Sequence, residues 1–195
     1  MVKIKPFADF KLHKTVDNAI IEKYSGVVPP EMIDFWKEYG FGTFAKGFLK
    51  SINPDEYQEL LEKSYISKSN KYTPILATAL GDILVVKEFT YLEEGEYFDI
   101  YIIRYRYGRD QMVCGAEELF DAIFNINYYT NSFLWGDYIE AVLEHDVIPE
   151  YDECYGYVPL LGLGGSKSIE TMELVGIKEQ IMLIREMIGI IHSVS

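Results

Sequence analysis

The stretch Tyr97-Phe98-Asp99-Ile100-Tyr101-Ile102-Ile103-Arg104-Tyr105-Arg106-Tyr107 decides the fold class. Its β-branched and aromatic residues suit a pleated strand, whose side chains point to opposite faces in turn. Phe98, Ile100 and Ile102 then share one face, and Tyr97, Asp99, Tyr101 and Ile103 the other. Both faces are rather apolar, which predicts a central strand or one covered by helices. Working outward, residues 74–80 and 83–89 read as two more strands joined by a tight turn at Gly81-Asp82. A looser turn over 92–96 leads into the third. Gly108-Arg109-Asp110 turns the chain into a fourth short strand near 111–114, and another short strand is expected around 47–52.

Helical signals lie on both sides of these strands. In Pro29-Pro30-Glu31-Met32-Ile33-Asp34-Phe35-Trp36-Lys37-Glu38-Tyr39-Gly40, proline suits the first turn and the apolar residues recur at helical spacing. Gly40 is placed to end that helix. Asn53-Pro54-Asp55-Glu56 reads as the capped start of a second helix running to Lys63. After Gly115, residues 116–124, 132–145 and 175–190 carry apolar residues three and four apart. Residues 149–166 read as irregular. The expectation is an α+β fold: an antiparallel sheet flanked by helices over 1–114, then a mainly helical acidic unit over 115–195.

Charge is distributed very unevenly. Residues 110–166 contain no lysine or arginine but eleven carboxylates, whereas 1–109 carry 15 basic and 16 acidic side chains and 167–195 carry 3 and 4. Nearly all of the net charge of −13 therefore comes from one stretch of a 195-residue chain. Such a surface repels nucleic acid and anionic lipid and attracts basic partners, although a merely solvated acidic face has the same composition. At 49% apolar and 15% aromatic, the chain has ample material for a core. Its first ten residues lack the apolar run of a secretory signal, and two cysteines do not make a disulfide framework. A reducing cytoplasm is the expected location.

Catalytic patterns are weak. Gly162-Leu163-Gly164-Gly165-Ser166-Lys167-Ser168 resembles a phosphate loop, but Ser166 separates the final glycine from lysine. A structural turn into the last helix is the simpler reading. Asp152-Glu153-Cys154 sets a thiol beside two carboxylates, which oppose the thiolate a nucleophile needs. His13, His145 and His192 do not have metal-ligand spacing. No catalytic residue, cofactor or metal is assigned.

Two blocks in order resemble known domains. Pro30-Glu31-Met32-Ile33-Asp34-Phe35-Trp36-Lys37-Glu38-Tyr39-Gly40-Phe41-Gly42, Asn53-Pro54-Asp55-Glu56-Tyr57 and Ala79-Leu80-Gly81-Asp82 are similar to the GAD-like domain. Glu150-Tyr151-Asp152-Glu153-Cys154-Tyr155-Gly156-Tyr157-Val158-Pro159 and Leu161-Gly162-Leu163-Gly164-Gly165 resemble a C-terminal domain that commonly follows it. The pair resembles immunity proteins that neutralise a DNase effector of the type VI secretion system. That likeness implies stoichiometric inhibition of a toxin with a basic surface, without catalysis. The expected contacts are Asp137, Glu140, Glu144, Asp146, Glu150, Asp152 and Glu153, with Tyr138, Tyr151 and Tyr155 as aromatic anchors. Two other readings stand beside it: a small-ligand or regulatory module, and an enzyme centred on Asp152, Glu153 and Cys154.

Overall fold

Residues 8–69, 71–91, 95–124 and 135–193 are described by the computed structural model. Its strands are β1 (Lys11–Lys14), β2 (Phe41–Phe44), β3 (Leu49–Ser51), β4 (Tyr65–Ile66), β5 (Lys71–Thr78), β6 (Ile83–Tyr91), β7 (Gly95–Arg104), β8 (Arg109–Gly115), β9 (Glu153–Tyr157), β10 (Met172–Gly176) and β11 (Ile191–His192). The helices are α1 (Asn18–Tyr24), α2 (Pro30–Tyr39), α3 (Pro54–Ser64), α4 (Leu119–Phe124), α5 (Trp135–His145) and α6 (Ile177–Ile188).

The main sheet runs β1-β2-β3-β5-β6-β7-β8, and every neighbouring pair is antiparallel. β7 is an inner strand, with Ile100 opposite Val86 on one side and Cys114 on the other. Its two apolar faces are explained by two cores. Leu84, Val86, Ile100 and Ile102 pack with Phe35 and Trp36 of α2, Leu119 of α4 and Tyr138 of α5. Ile83, Val85, Tyr101 and Ile103 pack with Tyr57 and Leu61 of α3 and Ile177, Ile181 and Ile184 of α6. Helices thus cover both faces of the sheet, and the α+β expectation holds. β7 stops at Arg104, short of Tyr107, because Tyr105–Tyr107 form a 3-10 turn that lets Arg109 pair back on Arg104.

Local chemistry sets the helix ends. Pro30 opens α2, and Gly40 closes it at φ +82°. A Cβ at Gly40 would lie 2.7 Å from Leu12 Cδ1 and 2.8 Å from the Lys14 carbonyl, so glycine is needed for space as well as conformation. The Asn53 side chain accepts from the Asp55 N–H at 3.1 Å and starts α3.

The C-terminal unit departs from the mainly helical expectation. Residues 149–166 include β9, which pairs antiparallel with β10, and the last helix begins at Ile177 after that strand. β9 escapes a search for alternation because both its faces are buried. Tyr155 joins the first core and Cys154 the second, while its Tyr155 N–H reaches the Ala79 carbonyl at 2.8 Å. The short β1, β2, β4 and β11 and helix α1 were also not anticipated. The turn expected over 92–96 and the helix start expected at 132–134 fall wholly or partly outside the described residues.

Two ion pairs are sealed inside. Lys87 Nζ lies 2.6 Å from Asp110 Oδ2, and both side chains are 0% exposed. Tyr65 and Ser193 donate to the same carboxylate oxygen, each at 2.7 Å, and Lys87 sits 3.7 Å from the Tyr101 ring centroid. The group joins β4, β6, β8 and the C-terminal residues. The other pair, Arg106 Nη2 with Asp82 Oδ2 at 3.0 Å, connects the 3-10 turn to the β5–β6 turn.

Candidate partner interface

α5 divides its residues sharply between core and surface. Tyr138 and Ala141, three residues apart, are 0% exposed against the sheet, whereas Glu140 and Glu144 are exposed on the far side. Leu143 is exposed with them, at 77%. Asp137 lies at the edge of this face, half-buried, with Oδ2 inaccessible. The helix ends at Asp146, whose N–H bonds the Val142 carbonyl at 2.9 Å and whose φ is +53°.

The chain that follows is held firmly from below. Tyr155 donates to the Val147 carbonyl at 2.6 Å, and Tyr151 donates to the Ser51 carbonyl at 3.1 Å. Lys50 of β3, 0% exposed, donates to the carbonyls of Glu150 and Pro149. The Glu150 N–H is accepted by Glu153 Oε2 at 3.1 Å. With its backbone pinned, the segment presents Asp146, Glu150 and Asp152 to solvent beside the exposed Val147 and Ile148. Glu153 is half-buried. None of Asp137, Glu140, Glu144, Asp146, Glu150, Asp152 or Glu153 forms an ion pair among the described residues.

The structure therefore brings Glu140, Glu144, Asp146, Glu150 and Asp152, all exposed, onto one segment (140–152) that contains no lysine or arginine. The aromatic expectation is corrected. Tyr138 and Tyr155 are fully buried, and half-buried Tyr151 stacks on His13 at 3.9 Å, so these rings support the segment from beneath. The apolar surface comes instead from Leu143, Val147 and Ile148, which the sequence reading missed. For Leu143 a signal was available: it stands five residues after Tyr138, off the apolar stripe of α5.

Lys50 makes this anchoring sensitive to pH. Burial pushes its ammonium down from 10.5 to about 8, against the opposing influence of Cys154, Glu153, Asp152 and Glu150. Below about pH 8 the folded and unfolded chains both hold the proton. Between about 8 and 10.5 the unfolded chain still holds it and the folded chain has released it, so this site adds stability as pH rises. Urea unfolding at successive pH values should show wild type gaining up to about 3 kcal/mol relative to Lys50→Met across that window. Parallel pH profiles would mean that Lys50 is not buried as described.

The thiol chemistry considered for Cys154 has no support here. Cys154 is 0% exposed, and burial pushes its thiol up to about 12, so it supplies no thiolate at neutral pH. No group of three or more His, Cys, Asp or Glu among the described residues is arranged to hold a metal ion. No helix among them is long and apolar enough to cross a membrane.

Comparison with known proteins identifies both halves. Residues 3–93 match the GAD-like domain, and residues 116–188 match the domain described as T6SS immunity protein Tdi1, C-terminal. The chain also superposes on the crystal structure of Atu4351 from Agrobacterium tumefaciens with a TM-score of 0.66 at 16% identity, covering 91% of this chain and 86% of that one. At that identity the likeness concerns the fold. No curated protein matches the sequence significantly.

Proposed function

We propose that this chain, in which a match to the GAD-like domain is followed by a match to the Tdi1 immunity C-terminal domain, binds and neutralises a cognate type VI secretion toxin, a DNase, by stoichiometric inhibition. The observation that carries this reading is the exposed acidic segment 140–152, which lies inside the matched immunity domain. A DNase has to hold a polyanion, so its substrate face is basic. A pinned acidic surface complements that face and steers the encounter. Leu143, Val147 and Ile148 add apolar area among the carboxylates, and area that loses water on contact is what slows dissociation. A rigid backbone beneath them limits the entropy lost on binding.

Co-expression with a toxin-like nuclease from the neighbouring genes is the direct test. The expected result is restored growth and a complex that co-purifies at one-to-one stoichiometry. Failure of both rescue and complex formation sinks the proposal. Association measured by stopped flow should also slow strongly as ionic strength rises from about 0.01 M to 0.15 M, where the Debye length falls from about 30 Å to 8 Å. A salt-independent rate removes the electrostatic steering while leaving inhibition itself standing.

A further inference from the structure

Three successive residues in the turn between β2 and β3, Ala45, Lys46 and Gly47, have left-handed backbone at φ +52°, +55° and +83°. Outside glycine that conformation is uncommon and persists where the surroundings enforce it. Here much of the surroundings comes from the other matched half of the chain. Tyr138 of α5 donates to the Lys46 carbonyl at 2.6 Å, and its ring meets that of Phe48 at a centroid distance of 5.1 Å. A Cβ on Gly47 would come within 2.5 Å of Ile148 Cγ2, so the bare backbone at this position is the seat on which Ile148 rests. Asp9 accepts from the Lys46 N–H and ties the turn down.

β3 adds a charge to this seat. The buried Lys50 ammonium donates to the Glu150 carbonyl and, at 3.4 Å, to the Pro149 carbonyl. The Glu150 carbonyl also accepts from the Glu153 N–H at 3.1 Å, while Glu153 Oε2 accepts from the Glu150 N–H. One cation thus holds a turn that is closed on itself, with Glu150 and Asp152 exposed. The titratable groups that act on the cation are Cys154, Glu153, Asp152 and Glu150, and its partners across the sheet, Thr43 and Ala77, carry no charge. Burying an ammonium is costly, and an apolar side chain of similar length fills the same space without that cost. Stability therefore does not account for a lysine here. What a lysine supplies and an apolar chain does not is a directed hold on two carbonyls.

We propose that Lys50, with the 45–47 turn beside it, is a positioning element for the partner face: the GAD-like half fixes the backbone from which Ile148, Glu150 and Asp152 meet the toxin. The proposal rests on the reading of segment 140–152 as the toxin-binding surface. It gives the GAD-like half a part in binding that requires no contact with the toxin, because a backbone held in its bound conformation loses less entropy when the complex forms.

Two measurements on the full chain test it. In the free protein, hydrogen exchange at the Glu150 and Glu153 amides should quicken about tenfold in Lys50→Met, the effect of losing one charge-assisted hydrogen bond, while the amides of β7 keep their protection. In complex with the toxin-like nuclease from the neighbouring genes, Lys50→Met should dissociate about tenfold faster than wild type at neutral pH. Tyr138→Phe, which leaves Lys50 in place and removes only the bond to the Lys46 carbonyl, should dissociate several-fold faster. The ratio of the Lys50→Met rate to the wild-type rate should shrink from about pH 7 to about pH 9.5, as the wild-type ammonium gives up its proton near 8 and its hold weakens. Titration of the toxin itself cancels in that ratio. A lysine serving the fold alone gives the opposite trend, because its contribution to stability grows over the same window. Unchanged exchange at the two amides overturns the positioning role whatever the toxin does. Equal dissociation of both variants and wild type at neutral pH overturns it too, as does a ratio that widens with pH. Absence of any complex with wild type, beside the expected exchange, instead sinks the toxin reading and the proposal with it.

Discussion

Asp110→Ala should be strongly destabilising, costing about 3–5 kcal/mol, the range for removing one partner of a buried ion pair. The carboxylate accepts from Lys87, Tyr65 and Ser193, so one truncation removes an acceptor from three donors at once. Lys87 suffers most. Burial already pushes its ammonium downward, Asp110 opposes that push, and without it the ammonium keeps Ser193 Oγ at 2.9 Å and the Tyr101 and Tyr65 rings. For a chain of this length the melting temperature should fall by roughly 10 °C. Lys87→Met alone should also destabilise, because the carboxylate is then buried without its counter-ion. The double variant Lys87→Met, Asp110→Leu should be more stable than either single, since two apolar side chains leave no charge in the core. Calorimetry on the four proteins of this cycle gives the coupling directly. Additive losses, or a cost near zero for Asp110→Ala, would show that the pair is solvated.

This pair also illustrates what the sequence could and could not reveal. Asp110 was legible only as one more carboxylate in the acidic stretch; its burial depends on Lys87 twenty-three positions earlier and Ser193 eighty-three later. Local signals fared better where the physics is local. Pro30 and Gly40 framed α2, Asn53 capped α3, and the two apolar faces of β7 pointed to an inner or helix-covered strand, and the structure makes it both. β9 was missed because a strand wedged between two cores has no polar face and hence no alternation. At the proposed partner face, the exposure of Glu140 and Glu144 followed from helical spacing. The burial of Tyr138 and Tyr155 did not, because an aromatic ring on the same segment serves equally as anchor or prop until its packing is known.

Reversing the charge of Glu140, Glu144 and Glu150 together to lysine should slow association with the toxin by about 10- to 1000-fold, the span over which electrostatic steering operates. Reversing Glu22, Glu59 and Glu62, which are also exposed, changes the net charge of the chain equally and places it elsewhere. That control should slow association far less, because screening confines each charge to its own neighbourhood. Glu140 and Glu144 already repel each other four residues apart, and two lysines repel equally. Glu144 also lies in the last turn of α5, where the helix dipole disfavours an acid and favours a base. Glu150→Lys removes one carboxylate that supports the Lys50 ammonium, so the melting temperature of the triple variant is measured beside its association rate. Leu143→Ala should complement it by raising the dissociation rate with little effect on association, because an apolar contact acts after encounter. Stopped-flow association and competitive dissociation on these variants separate the two contributions. Equal slowing by both charge triples would move the interface off segment 140–152, and an unchanged dissociation rate for Leu143→Ala would leave its exposed side chain outside the contact.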